Sequence, residues 1–395
     1  MKNLKRSTAF VFLGLLALNA KAQEADKKFE VYGFVQTDYI QDFKRVNPAW
    51  DATLRPSKIP TESGQFGSDG QAILSARQSR FGVKADLPTD TGPVKTKFEF
   101  DLFGVGVDEG QTTIRLRHAY GEYGNWLAGQ THSLFMDVDI FPNTIDYWGP
   151  AGMSFFRLPQ IRYTFGQTEN KFAIALEHPT EDIDPGQLRK IGDSFGVNIQ
   201  ADEKLPDLTA QFRNENDYGH LQVAGILRRI GYETIGTATN EPKGHATGWG
   251  LDVSTVVKTF GEDKILASVL YGAGIATYMN DGGTDLAPEG TIADARAKAV
   301  PLLGISAYYD HYWTEKYSSS IGYSSTQVEN TSLQEGSAFN KGQYASTNLL
   351  YKPIKNVLVG GELLWGSRTD KDGGYGDDIR TQISFKYEFS SLDFI

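Results

Sequence analysis

No cysteine occurs in the 395 residues. That excludes disulfide staples, thiolate metal sites and cysteine redox chemistry, so stability must come from backbone hydrogen bonding and packing. Long apolar runs are missing too. Apart from a short N-terminal stretch, nothing approaches the roughly 18 apolar residues of a membrane-spanning helix. Histidine is scarce and scattered: His118, His132, His178, His220, His245 and His311 stand singly. None belongs to a nucleophile motif or a spaced metal-binding pair, so no catalytic set, metal or cofactor is expected. His132 beside Ser133 comes nearest to a proton-sharing pair, but neighbours on a strand point to opposite faces. No linker or composition shift divides the chain, which argues against two soluble domains. A net charge of −10 argues against nucleic acid, whose binding rests on neutralising phosphate.

What is present begins with an export signature. Lys2, Lys5 and Arg6 form a basic region, residues 9–18 an apolar core, and Ala20-Lys21-Ala22 a small-x-small cleavage site. Residues 1–22 are therefore read as a secretory signal. Without Lys2, Lys5, Arg6 and Lys21, 35 basic residues face 49 acidic ones, so the mature chain carries about −14.

The clearest pattern lies near the other end. In IRTQISFKYEF (379–389), Ile379, Thr381, Ile383, Phe385, Tyr387 and Phe389 share one face, and Arg380, Gln382, Ser384, Lys386 and Glu388 the other. A period of two over about ten residues suits a strand with lipid on one side and water on the other. Sixteen such segments can be counted, at 29–41, 71–87, 93–107, 112–123, 126–135, 158–165, 171–178, 206–213, 219–232, 248–260, 264–278, 301–313, 317–329, 343–351, 356–367 and 377–389. Short turns alternate with long loops, as in outer-membrane barrels. The expected fold is all-β, a transmembrane antiparallel up-and-down β-barrel of about 16 strands over 29–389. A short periplasmic segment (23–28) precedes it and a tail (390–395) follows. A further strand at 194–201 leaves eighteen open. A secreted sandwich or propeller would share the alternation. It would not explain the asymmetric connections or the aromatics at strand ends (Tyr120, Trp126, Trp249, Trp313, Trp365, Phe389), where an interfacial girdle belongs.

If apolar residues face lipid, charged ones line the bore, and the first third of the barrel is rich in cations. Arg80 and Lys84 share a face, as do Lys95 with Lys97 and Arg115 with Arg117; Arg162 adds another, and Arg77 stands near the outer end. Such a column suits anions, because guanidinium stays charged and grips carboxylate or phosphate in a fork. The competing reading is mutual neutralisation, with Glu99 and Asp101 beside the Lys pair. Arg115 and Arg117 have no inward acid beside them on their strand, which favours a role in the bore. The long connection 136–157 is unusually aromatic, with Phe141, Tyr147, Trp148, Phe155 and Phe156. Folding inward would bury these rings and narrow the bore. Asp137, Asp139 and Asp146, with Arg157 at its end, would then face the basic wall.

The strings LRHAYGEYGNWLAGQTHSLFMD (116–137), ARQSRFGVKAD (76–86), KTKFEFDLFG (95–104) and PQIRYTF (159–165) resemble the DcaP-like outer-membrane porins, as do GWGLDVS (248–254) and YGAGIATYMND (271–281). The resemblance implies a trimeric sixteen-stranded outer-membrane porin for small anions, dicarboxylates in particular, with an inward-folded third loop. By position it implies lining roles for Arg80, Lys95, Lys97, Arg115, Arg117 and Arg162. The chain departs from family members with an N-terminal coiled coil, since about six residues separate Gln23 from the first strand. It also extends past Phe389, the expected terminal aromatic. Other classes remain: a phosphate-selective porin, a barrel enzyme, or an adhesin using acidic loops that otherwise meet lipopolysaccharide.

Overall fold

The computed structural model describes residues 28–104, 113–166, 169–188 and 198–394. The expected export signal lies outside the described residues, as does most of the segment before the first strand.

The described chain is almost wholly β. Strands β1 (Lys28–Asp42), β2 (Gln71–Ser75), β3 (Arg80–Leu87), β4 (Val94–Asp101), β5 (Arg115–Tyr123), β6 (Trp126–His132) and β7 (Arg157–Phe165) form the first part. Next come β8 (Asn170–Glu177), β9 (Asn198–Ala201), β10 (Asp207–Asn216), β11 (Gly219–Ile235), β12 (Gly244–Lys258) and β13 (Lys264–Ala273). The last are β14 (Leu286–Thr291), β15 (Asp294–Ala299), β16 (Pro301–Tyr312), β17 (Tyr317–Val328), β18 (Phe339–Tyr351), β19 (Val357–Asp370) and β20 (Tyr375–Ser390). β14 and β15 make a separate hairpin within one loop. β2 and β3 both pair with β1, so they are two halves of one stave. β9 and β10 likewise share β11. The remaining eighteen strands thus build sixteen staves. Residues 198–201 are the upper part of the eighth stave, and the eighteen-strand alternative fails. β20 pairs with β1 from Tyr32↔Ser390 to Asp42↔Arg380, closing the sheet. Closure satisfies every stave where hydrocarbon offers no partner.

The sheet is inside out relative to a soluble protein. On β20, Phe385 is 58 % exposed while Arg380 is 0 % exposed. On β1, Val35 and Tyr39 face out and Asp38 and Asp42 are buried. Trp126, Trp249 and Trp313 are exposed, as an interfacial girdle requires. Tyr120 is not among them. It shares a face with His118, their ring centroids 6.0 Å apart, for a reason given below. β11 and β12 run further than their alternation indicates, which shortens the loop between them to 236–243.

Three connections carry much of the apolar packing: loop 1 (43–70), loop 3 (133–156) and loop 6 (274–300). Leu54 and Ile59 of loop 1 and Ile140 and Met153 of loop 3 cluster with Tyr308, Tyr344 and Leu364 of the barrel wall. Phe135 of loop 3 and Ile275 and Tyr278 of loop 6 cluster with Ile226, Leu270 and Leu302. Loops therefore cover the inner side of the β11–β19 wall. The tail past β20 forms a 3-10 turn (Ser391–Phe394). There Ser391 Oγ accepts from the Val31 amide, and Asp393 meets Lys355 at 2.8 Å.

Candidate functional site

Loop 3 is fastened by inward side chains of distant strands. Glu362 on β19 accepts from the amides of Ile145 at 2.9 Å and Asp146 at 3.3 Å. Ser324 on β17 accepts from Gly152 N at 2.7 Å, and Asp310 on β16 from Asn143 N. The Ser154 hydroxyl donates to Asp252 on β12 at 2.8 Å. Asp146 accepts from Thr53 and Leu54, tying loop 3 to loop 1. Acceptors on the wall thus satisfy the amides of an irregular segment, whose burial would otherwise cost about 1–3 kcal/mol per group.

With that side covered, an open cavity of about 1370 Å³ remains against the other. Arg80, Lys97, Arg115, Arg117 and Arg157 line it from β3, β4, β5 and β7, and Arg55 joins them from loop 1. Lys316, Lys352, Lys355 and Lys386 surround the end with short turns. The acids are Glu99, Asp146, Glu181, Asp182, Asp281, Glu315 and Glu388. Ten cations against seven acids give this cavity a net-positive lining, which remains so when Asp101 behind Arg115 and Arg117 is counted with the acids, in a chain whose net charge is −10.

The basic wall is a lattice. Arg117 Nε lies 2.7 Å from Glu99 and its Nη1 2.9 Å from Asp101. Arg115 meets Asp101 at 2.9 Å, Lys97 meets Glu99 at 3.3 Å, and Arg80 meets Glu99 at 3.6 Å. The expectation that Arg115 and Arg117 lack inward acids is wrong. Their acids come from the neighbouring strand, where the register sets Asp101 opposite Arg115. A bulge shifts that register, pairing Glu99 with His118 but Phe100 with Leu116. The extra residue is Arg117, and past it the faces exchange. Arg115 and Arg117 point inward above the bulge, and His118 and Tyr120 below it. That is why Tyr120 leaves the girdle.

Other expected lining residues go elsewhere. Lys84 pairs with Glu30 at 2.8 Å, Lys95 is exposed opposite Glu122, and Arg162 bonds Gln160 and the His132 carbonyl. Arg77 bonds the Gly104 carbonyl beside the Phe103 ring. None of these four lines the cavity. Asp137 and Asp139 do not face the basic wall either. They meet Arg213 of β10, and Asp137 lies 2.7 Å from His220 Nε2 of β11. Asp137, Asp139 and His220 are close enough to hold a metal ion, but the Arg213 guanidinium already supplies their positive charge. Asp146 is buried among loop partners, while Arg157 joins the wall. Its Nη1 is buried with no hydrogen-bond partner among the described residues.

Sequence reasoning missed Arg55 and the basic collar. Lys386 sits on the inward parity of the last strand, and Lys316, Lys352 and Lys355 crowd two short turns, so the collar had a signal. Arg55 had none. Its partner Asp281 is 226 positions away. Near Arg55, burial lowers the Lys58 ammonium from its ordinary range, and the Arg55 charge adds to that. In the connection that follows β8, burial lifts the Glu181 carboxyl to about 7, against an amide bond from Gly231 and the charge of Arg228.

A closed sixteen-stave sheet, apolar outside and charged within, its bore narrowed by loops, defines an outer-membrane β-barrel of the porin class. The chain belongs to the DcaP outer membrane protein family, whose profile matches residues 18–389. It is similar to the outer membrane channel DcaP of Acinetobacter baumannii, at 24 % identity and TM-score 0.77, over 93 % of this chain and 99 % of that one. OmpT of Vibrio cholerae in its trimer form aligns at 13 % identity and TM-score 0.56, over 92 % and 100 %. Salmonella typhi OmpF in complex with daunomycin aligns at 12 % and 0.59, over 92 % and 98 %. No curated protein matches the sequence.

Proposed function

We propose that this porin lets small anionic solutes, dicarboxylates foremost, diffuse passively across the outer membrane through a homotrimer without catalytic residues. The observation carrying this reading is the charge of the bore, ten cations against seven acids in an acidic chain. Fixed guanidinium groups raise the local concentration of carboxylates and offer them paired donors. The trimer is supported by the fold shared with the Vibrio cholerae neighbour. Residues 1–22 act as the cleaved export signal, and exposed apolar staves meet outer-membrane lipid.

Reversal potentials of the purified protein in planar bilayers test the reading. In a potassium chloride gradient the expected sign is that of an anion-preferring pore, with succinate more permeant than phosphate. A cation-preferring sign refutes the proposal, and phosphate ahead of succinate moves it to a phosphate porin.

A further inference from the structure

At the outer end of the bore, Arg55 fills the corner between two indole rings. Its guanidinium carbon lies 4.2 Å from the Trp50 ring centre and 4.1 Å from that of Trp148. The rings meet edge to face with centroids 4.9 Å apart. Trp50 and Arg55 belong to loop 1 and Trp148 to loop 3. Asp281 of loop 6 accepts from Arg55 Nε at 2.9 Å and also from the amide and hydroxyl of Ser57. Trp148 is itself fixed. Its Nε1 donates to the Asn280 carbonyl, Asn280 donates back to the Trp148 carbonyl, and the Trp148 backbone amide donates to Thr53 Oγ1.

We propose that Arg55 is the outermost anion-capture station of the pore, held in place by the two indoles and tuned by Asp281. This rests on the anion-porin reading above and deepens it. Arg55, Trp148 and Asp281 all line the cavity. Stacking on aromatic faces orients a guanidinium without removing its charge. Four donors from Arg55 and Ser57 converge on Asp281, which weakens that carboxylate as a repeller of anions. The next rung is adjacent. Tyr147, the neighbour of Trp148, has its ring 5.1 Å from the Arg115 guanidinium, and its hydroxyl lies 3.1 Å from Arg117. The Tyr147 and Trp148 ring centres are 6.1 Å apart. Consecutive aromatics of loop 3 therefore set two arginine stations in line. A solute with two carboxylates meets a second guanidinium before it leaves the first.

The station acts from the loop side alone, which separates capture from mere stapling of loops. Succinate is added to one side or the other of single oriented channels, and its association rate is read from current interruptions. Arg55→Gln is expected to slow association from the loop side about twofold or more and leave the turn side unchanged. Asp281→Asn keeps an acceptor and is expected to speed loop-side association. If Arg55→Gln alters both sides equally or neither, Arg55 is only a staple. It is equally only a staple if both variants shift association in one direction. A wild-type channel that prefers cations overturns the parent reading, and this one with it. An anion-preferring wild type indifferent to Arg55→Gln overturns this one alone.

Discussion

Replacing Arg117 by glutamine tests whether the lattice sets selectivity through its net charge. Arg117 touches Glu99 and Asp101, so a purely pairwise view treats its charge as already cancelled. Long-range electrostatics does not. A permeating ion about 6 Å away feels the sum of the lattice, and removing one charge at that distance changes its energy by about 0.7 kcal/mol in water. Screening at 0.1 M salt leaves about 0.4 kcal/mol. Local anion concentration then falls about twofold and local cation concentration rises about twofold, so the anion-to-cation permeability ratio falls about fourfold. The assay is the reversal potential in a tenfold potassium chloride gradient, with Arg296→Gln as control. Arg296 lies on an exposed hairpin away from the bore and should produce no shift. Arg117→Gln is also expected to lower barrel stability by about 1–3 kcal/mol, because two nearly buried carboxylates lose a donor. An unchanged reversal potential in a folded variant refutes the electrostatic reasoning.

Three further outcomes are expected. Glu362→Ala strips the acceptor from two loop amides, costing about 1–3 kcal/mol for each left unmatched, so protease should cut within 141–149 where the native loop resists. The Glu181 carboxyl, lifted to about 7 by burial, is charged at pH 8 and neutral at pH 6. Acidification over that range removes a negative charge from the bore lining, so anion preference should rise as pH falls, and Glu181→Gln should flatten the profile. At Gly33 an added Cβ would sit 2.2 Å from the Arg80 carbonyl oxygen. Gly33→Val should therefore destabilise the β1–β3 seam by about 1–3 kcal/mol and reduce the heat-resistant folded band on gels.

The wall and the loops differ in how far sequence alone reaches. The last strand was readable residue by residue, since lipid outside and water inside impose a period of two that needs no knowledge of neighbours. The count of sixteen came from the same local rule. Lumen residues were legible where alternation was undisturbed, as for Arg80 and Lys97. Parity held at Arg115 and Arg117 but failed just past them, where a bulge exchanges the faces and sends Tyr120 inward. Lys84, Lys95 and Arg162 have inward parity yet miss the cavity, because position along the stave matters as well as the face. Aromatic richness marked loop 3 as a segment seeking burial, but not which acids would receive its amides.

The chain by itself determined a closed barrel of sixteen or eighteen staves, the side facing lipid and the wealth of cations in its first third. All of these follow from local patterning against two solvents. Only the tertiary structure decided which charges pair, that Asp137 turns to Arg213, and that Arg55 rests between Trp50 and Trp148. Those contacts join residues far apart in sequence, and their geometry depends on register, bulges and loop packing that no local pattern encodes.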